Sequence, residues 1–137
     1  MIAFLKKYLG NIYTPILLTL IIGVLLSIPG TMLPSEETFT IPNFDKFVHF
    51  CLFGGFVFSW NLYLSKTSRP VLKTLRIFFI FFLLGNAYGI GMEFAQKYWI
   101  PLRDFSSEDI IADMLGAGVA YGLSNIWLLP GSADAKK

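Results

Sequence analysis

Residues 85–122 read GNAYGIGMEFAQKYWIPLRDFSSEDIIADMLGAGVAYG, and this stretch decides the class of the chain. It sets Glu93, Gln96, Arg103, Asp109 and Asp113 inside or at the edge of strongly apolar sequence. A carboxylate near the middle of a membrane helix costs roughly 2.5–3.5 kcal/mol on insertion scales, so Glu93 and Asp113 are candidates for function unless each has a structural partner.

Working outward, the remainder of the 137 residues is as apolar as that stretch: 55% hydrophobic and 15% charged. Such a composition, with room for one domain, indicates an all-α integral membrane protein. A net charge of +2, with basic residues scattered between apolar runs, gives no sign of a nucleic-acid partner. The lone Cys51 excludes an intramolecular disulfide and reads as a small apolar residue of a membrane helix.

Four spans are expected, at about residues 13–32, 44–64, 75–99 and 107–128, each near the roughly 20 residues that cross a hydrocarbon core. Residues 1–12 form a short amphipathic piece with Lys6 and Lys7 at the membrane surface, and residues 129–137 a polar, flexible tail. Pro29-Gly30 and Pro34 imply a kink or ragged exit from the first span. Pro101 stops the third, Tyr98 and Trp99 anchor it at an interface, and Ser106 or Ser107 caps the fourth. One side of the membrane receives Lys6, Lys7, Lys66, Arg69, Lys73, Arg76, Lys136 and Lys137; the other receives only Lys46, Lys97 and Arg103. By the positive-inside rule both termini are cytoplasmic, and the loops flanking the polar stretch face outward.

Depth arithmetic then groups the ionisable residues. His49, Glu93 and Asp113 each lie about five or six residues from the outer end of their span, roughly 8–9 Å deep at 1.5 Å per residue. They can share one layer. Asp45 and His49 are four apart, as are Asp109 and Asp113, and Gln96 and Lys97 follow Glu93, so each helix carries a polar stripe toward an outward pocket. Gly85 and Gly89 extend the Glu93 face, and Gly116 and Ala120 that of Asp109 and Asp113; small residues at such spacings admit close packing, here expected between spans three and four, with Gly118 and Gly122 as a second contact. Simpler duties compete for several groups. Ser106 and Asp109 have capping-box spacing, Asp45 sits in a first turn, Gln96 suits an interhelical hydrogen bond, and the basic residues suit interfacial snorkelling.

Asp45-Lys46-x-x-His49-Phe50, then Gly89 ahead of Glu93-Phe-x-Gln96, then Arg103 and Asp109-x-x-x-Asp113-x-x-Gly116, together resemble the VanZ-like family of small bacterial membrane proteins, named for a teicoplanin-resistance accessory protein. The match covers spans two to four; Asp113 stands where the family pattern often has Asn. The resemblance implies a multi-pass protein of the bacterial cytoplasmic membrane linked to the cell envelope, in some members to lowered sensitivity to glycopeptide antibiotics. It implies no settled reaction.

Three functions fit the residues. The first is binding of the anionic headgroup of a membrane lipid or lipid-linked cell-wall intermediate. Arg103, Lys46 and Lys97 would hold the phosphate or carboxylate, with Asp45 and Gln96 contributing and His49, Glu93, Asp109 and Asp113 shaping the site. The second is an intramembrane enzyme on such a lipid, with those same four residues as catalytic candidates because a histidine and carboxylates supply a general acid and base. A divalent metal on His49, Glu93 and Asp113 is its variant. The third is proton or ion transport, for which four spans would require a homo-oligomer. No nucleophile motif or phosphate loop is present.

Overall fold

The computed structural model describes residues 1–32 and 43–129. Most of the expected outer connection with Glu36, Glu37 and Pro42, and all but Leu129 of the expected tail, lie outside the described residues. The architecture is all-helical: α1 Ile2–Tyr8, α2 Tyr13–Leu26, α3 Phe44–Leu64, α4 Val71–Trp99 and α5 Ser107–Trp127, with a 3-10 turn at Gly30–Met32.

Helices α3 and α4 are long and apolar enough to cross a membrane, and α1 with α2, bent by 79° at their break, makes a third candidate. α5 is as long as α3. Glu108, Asp109, Asp113, Ser124 and Asn125 reduce its average apolarity. Its polar residues Asp109, Asp113 and Ser124 are nevertheless buried, while Ile111, Met114, Leu115, Val119 and Ile126 form its exposed side. That inversion holds throughout. Among the described residues nine polar or charged side chains are buried beside eleven apolar ones, and thirty large apolar side chains are exposed, which suits hydrocarbon better than water as surrounding solvent.

The first expected span is shorter than its hydropathy suggests. α2 stops at Leu26 and gives way to the 3-10 turn instead of continuing to residue 32. Pro29 restricts Ile28 before it and interrupts the helical hydrogen-bond ladder, so the apolar run outlasts the helix. α4 begins at Val71, earlier than the expected residue 75, because Lys73 and Arg76 are good helix formers at an interface and do not delay the start. α4 ends where Ile100 turns extended ahead of Pro101. At 1.5 Å per residue it is about 43 Å long, more than a hydrocarbon core of about 30 Å requires. α1 places Ile2 and Leu5 against the buried cluster of Leu62, Phe78 and Leu128 that closes this end of the bundle.

The tightest helix pair is α3 with α5, not the expected pairing of α4 with α5. Gly54 and Gly116 explain it: a Cβ on Gly116 would stand 2.1 Å from the Phe50 carbonyl oxygen, and one on Gly54 3.1 Å from the Gly116 carbonyl oxygen. Backbone meets backbone there, which only glycine permits. Gly118 and Gly122 make no such approach; the nearest atom to a Cβ on Gly118 is 4.0 Å away, and none lies within 4 Å of one on Gly122. Above this contact a core of Ile22, Leu26, Phe53, Phe56, Val57, Ala117 and Ala120 fills the middle of the bundle. α2 is fastened through Thr19, whose hydroxyl accepts from Trp60 Nε1 at 3.3 Å and whose carbonyl accepts from the Tyr88 hydroxyl at 3.0 Å.

Candidate functional site

Beyond that core, three helices bring four ionisable side chains together. α3 contributes His49, α4 Glu93, and α5 Asp109 and Asp113, none of them more than 8% exposed. His49, Glu93 and Asp113 meet as their positions along each helix lead one to expect, Asp109 lies one turn nearer the start of α5, and the pairing within the cluster follows from helix rotation.

His49 Nδ1 lies 3.0 Å from Asp113 Oδ1. With the imidazole neutral this is an Nδ1–H donating to carboxylate, which leaves Nε2 as the nitrogen with a free lone pair. The ring is steadied from below by Phe53, stacked at 6.5 Å between centroids. The other Asp113 oxygen, Oδ2, faces α4 at Gly89, where a Cβ would stand 2.5 Å from it. Gly89 is therefore required by the carboxylate, not by the helix: any larger residue would occupy the space that Asp113 uses.

Glu93 is fully buried, and its Oε2 accepts the Ser106 backbone N–H at 2.9 Å. That contact completes a cap in an unusual way. Ser106 Oγ accepts from the Asp109 N–H at 3.1 Å, as in a capping box. In a regular box the residue at the Asp109 position would return the bond to the Ser106 N–H. Here Glu93 of the neighbouring helix supplies that acceptor, so Asp109 satisfies the start of α5 with its backbone alone and its carboxylate is released into the site.

The result is an under-satisfied acidic cluster. Glu93 Oε1, Asp109 Oδ1 and Asp113 Oδ2 are buried without a hydrogen-bond partner. His49, Glu93 and Asp109 each offer a ligand atom within 4.8 Å of the others. This differs from the sequence expectation of His49, Glu93 and Asp113 as a ligand set: Asp113 is engaged with Nδ1 of the histidine, and Asp109 takes its place.

The remaining candidates fall around this centre. Lys46 closes one flank, with Nζ 3.1 Å from Glu108, 3.3 Å from Asp45 and 3.8 Å from Asp109. Glu108 is a partner the sequence reading did not single out, although it lies beside Asp109 in the first turn of α5. Asp45, exposed, pairs with Lys46 and not with the buried cluster. Gln96 is diverted to structure: its Nε2 donates to the Leu26 carbonyl at 3.0 Å, satisfying an orphan acceptor at the end of α2. Lys97 rests over the rings of Tyr98 and Phe105 at 5.4 and 5.7 Å. Arg103, half-buried, has no hydrogen-bond, ion-pair or ring partner among the described residues. It lies in the connection from α4 to α5, next to Leu102, whose φ of 53° is held by a hydrogen bond from the Gly30 N–H to the Pro101 carbonyl at 3.1 Å in the same turn. Only Asp104 and Phe105 separate Arg103 from Ser106, so their Cα atoms, three steps along the chain, are at most about 11 Å apart.

Compared with family profiles, curated proteins and solved structures, the chain matches none.

Proposed function

We propose that this chain is a multi-pass protein of the bacterial cytoplasmic membrane, of the VanZ-like kind, with four spans and both termini cytoplasmic, that binds the anionic headgroup of an envelope lipid or lipid-linked cell-wall intermediate. The two candidate spans, the bent α1–α2 pair and the apolar outer side of α5 support the four-span reading. The lysine and arginine distribution supports the orientation.

One observation carries the function: four buried ionisable groups converge from three helices at the end of the bundle that holds Arg103, and three of their carboxylate oxygens accept no hydrogen bond, that of Asp109 meeting only the Lys46 ammonium at 3.8 Å. Buried ionisable groups kept for structure alone are paired and hydrogen-bonded, because an unpaired one costs several kcal/mol. Oxygens left unpaired at such cost are the mark of a site that completes itself with something else.

Among the basic residues the headgroup falls to Arg103, since Lys46 is already committed to three carboxylates and Lys97 to two aromatic rings. An unpaired guanidinium presents the fork that phosphate and carboxylate accept. Native mass spectrometry of the purified protein in one detergent tests this. Wild type is expected to retain a selected anionic lipid that Arg103→Ala loses. The same unselected lipid mixture on both proteins would overturn the reading.

A further inference from the structure

We infer that His49, Glu93 and Asp109 form a binding site for one divalent transition-metal ion, with Asp113 as the outer carboxylate that orients the histidine. The inference deepens the reading of this same site, naming its cofactor, yet it stands on the ligand geometry and needs no lipid.

Three observations bear on it independently. The ligand atoms lie within 4.8 Å of one another, a spacing that one ion can bridge, since ligand atoms each about 2.0–2.2 Å from a metal are at most about 4.4 Å apart and small rotamer adjustments cover the difference. Glu93, fully buried, and Asp109, 8% exposed, each direct an oxygen without a hydrogen-bond partner into a cluster whose only other buried titratable members are His49 and Asp113. Finally, with Nε2 as the ligand atom, the His49–Asp113 contact would serve as the outer shell of a metal-bound histidine, in which one ring nitrogen donates to a carboxylate while the other ligates.

Charge points the same way. Three carboxylates face one histidine in the buried layer, and the nearest ammonium, that of Lys46, stands 3.8 Å from Asp109 while also serving two exposed acids. A divalent cation neutralises the excess. One imidazole with two carboxylates suits Zn²⁺, Mn²⁺ or Fe²⁺ and is poor for Ca²⁺ or Mg²⁺, which take oxygen ligands almost entirely. Three protein ligands leave positions open, which a phosphate or carboxylate oxygen could complete. The charge of the ion would then offset the carboxylates that otherwise repel an anion.

The test uses full-length protein in detergent with any affinity tag removed, stripped with a chelator and dialysed against Zn²⁺ or Mn²⁺. Metal is counted by elemental analysis, and Co²⁺ substitution is followed by its visible spectrum. Wild type is expected to hold about one ion per chain. Glu93→Gln and Asp109→Asn are expected to hold none, Arg103→Ala the full amount, and Asp113→Asn to bind about 10–100-fold more weakly, the usual effect of an outer-shell partner. Helix content and elution volume establish that each variant is folded. If Glu93→Gln does not fold, Asp109→Asn and the wild-type Co²⁺ spectrum still decide. Wild type without stoichiometric metal, or variants that load equally, would overturn the site. Metal-free protein that still selects a lipid through Arg103 removes the metal alone, and metal-loaded protein with no selected lipid removes the lipid alone.

Discussion

At the residue scale, the arrangement of the site depends on atoms that are missing as much as on those present. Gly89 is the clearest case: the Asp113 carboxylate occupies the place of a Cβ, 2.5 Å from where it would stand. Gly89→Ala is expected to destabilise by about 1–3 kcal/mol, as overpacking does, and to swing Asp113 away from His49. Thermal unfolding reads the first effect and the imidazole resonances of the single histidine the second; unchanged resonances would show that the pair survives. Gly116→Ala meets the Phe50 carbonyl, which cannot rotate away as a side chain can, and should cost at least as much while leaving the His49 environment intact only if α5 moves as a unit. Gln96 is a residue whose meaning changed between sequence and fold. It follows Glu93 on the same face and reads either as a ligand-binding group or as an interhelical hydrogen bond, and the fold has the second, its amide spent on the Leu26 carbonyl.

At the scale of elements, the start of α5 is the joint that organises the site. Ser106 serves two partners at once, its hydroxyl taking the Asp109 N–H and its own N–H going to Glu93. These two roles separate by mutation. Ser106→Ala removes the hydroxyl but keeps the N–H, so it is expected to cost about 0.5–2 kcal/mol of stability, the usual loss of a helix cap, while Glu93 stays in place. Denaturation of the variant measures the first, and retention of the bound ligand or metal the second. A loss of binding equal to that of Glu93→Gln would show that the hydroxyl does more than cap. The sequence makes the cap legible through Ser106 and Asp109 three residues apart, but not the contribution of Glu93 to it, because that bond crosses from α4 to α5 and has no signature in local spacing.

For the whole molecule, the apolar exterior suits a hydrocarbon surrounding, and the four-span reading makes a direct prediction. In a Cys51→Ser background, a cysteine at Asp104 should react with a membrane-impermeant maleimide added outside intact cells, while one at Thr67 should react only after lysis. The reverse pattern would turn the molecule over and place the acidic site on the cytoplasmic side. The sequence alone determined the helical elements, the start of α3, the end of α4 and the start of α5, and the grouping of His49, Glu93 and Asp113 in one layer. It could do so because hydropathy, proline positions and rise per residue are properties of one dimension. It overran α2, since apolar side chains continue past Pro29 where the hydrogen-bond ladder does not. Only the tertiary structure decided that Asp113 serves His49, that Asp109 joins His49 and Glu93, and that α5 packs closest on α3. Those choices depend on how each helix is rotated about its axis and how nearly two backbones approach, and residues four apart share a face without specifying which neighbour that face meets.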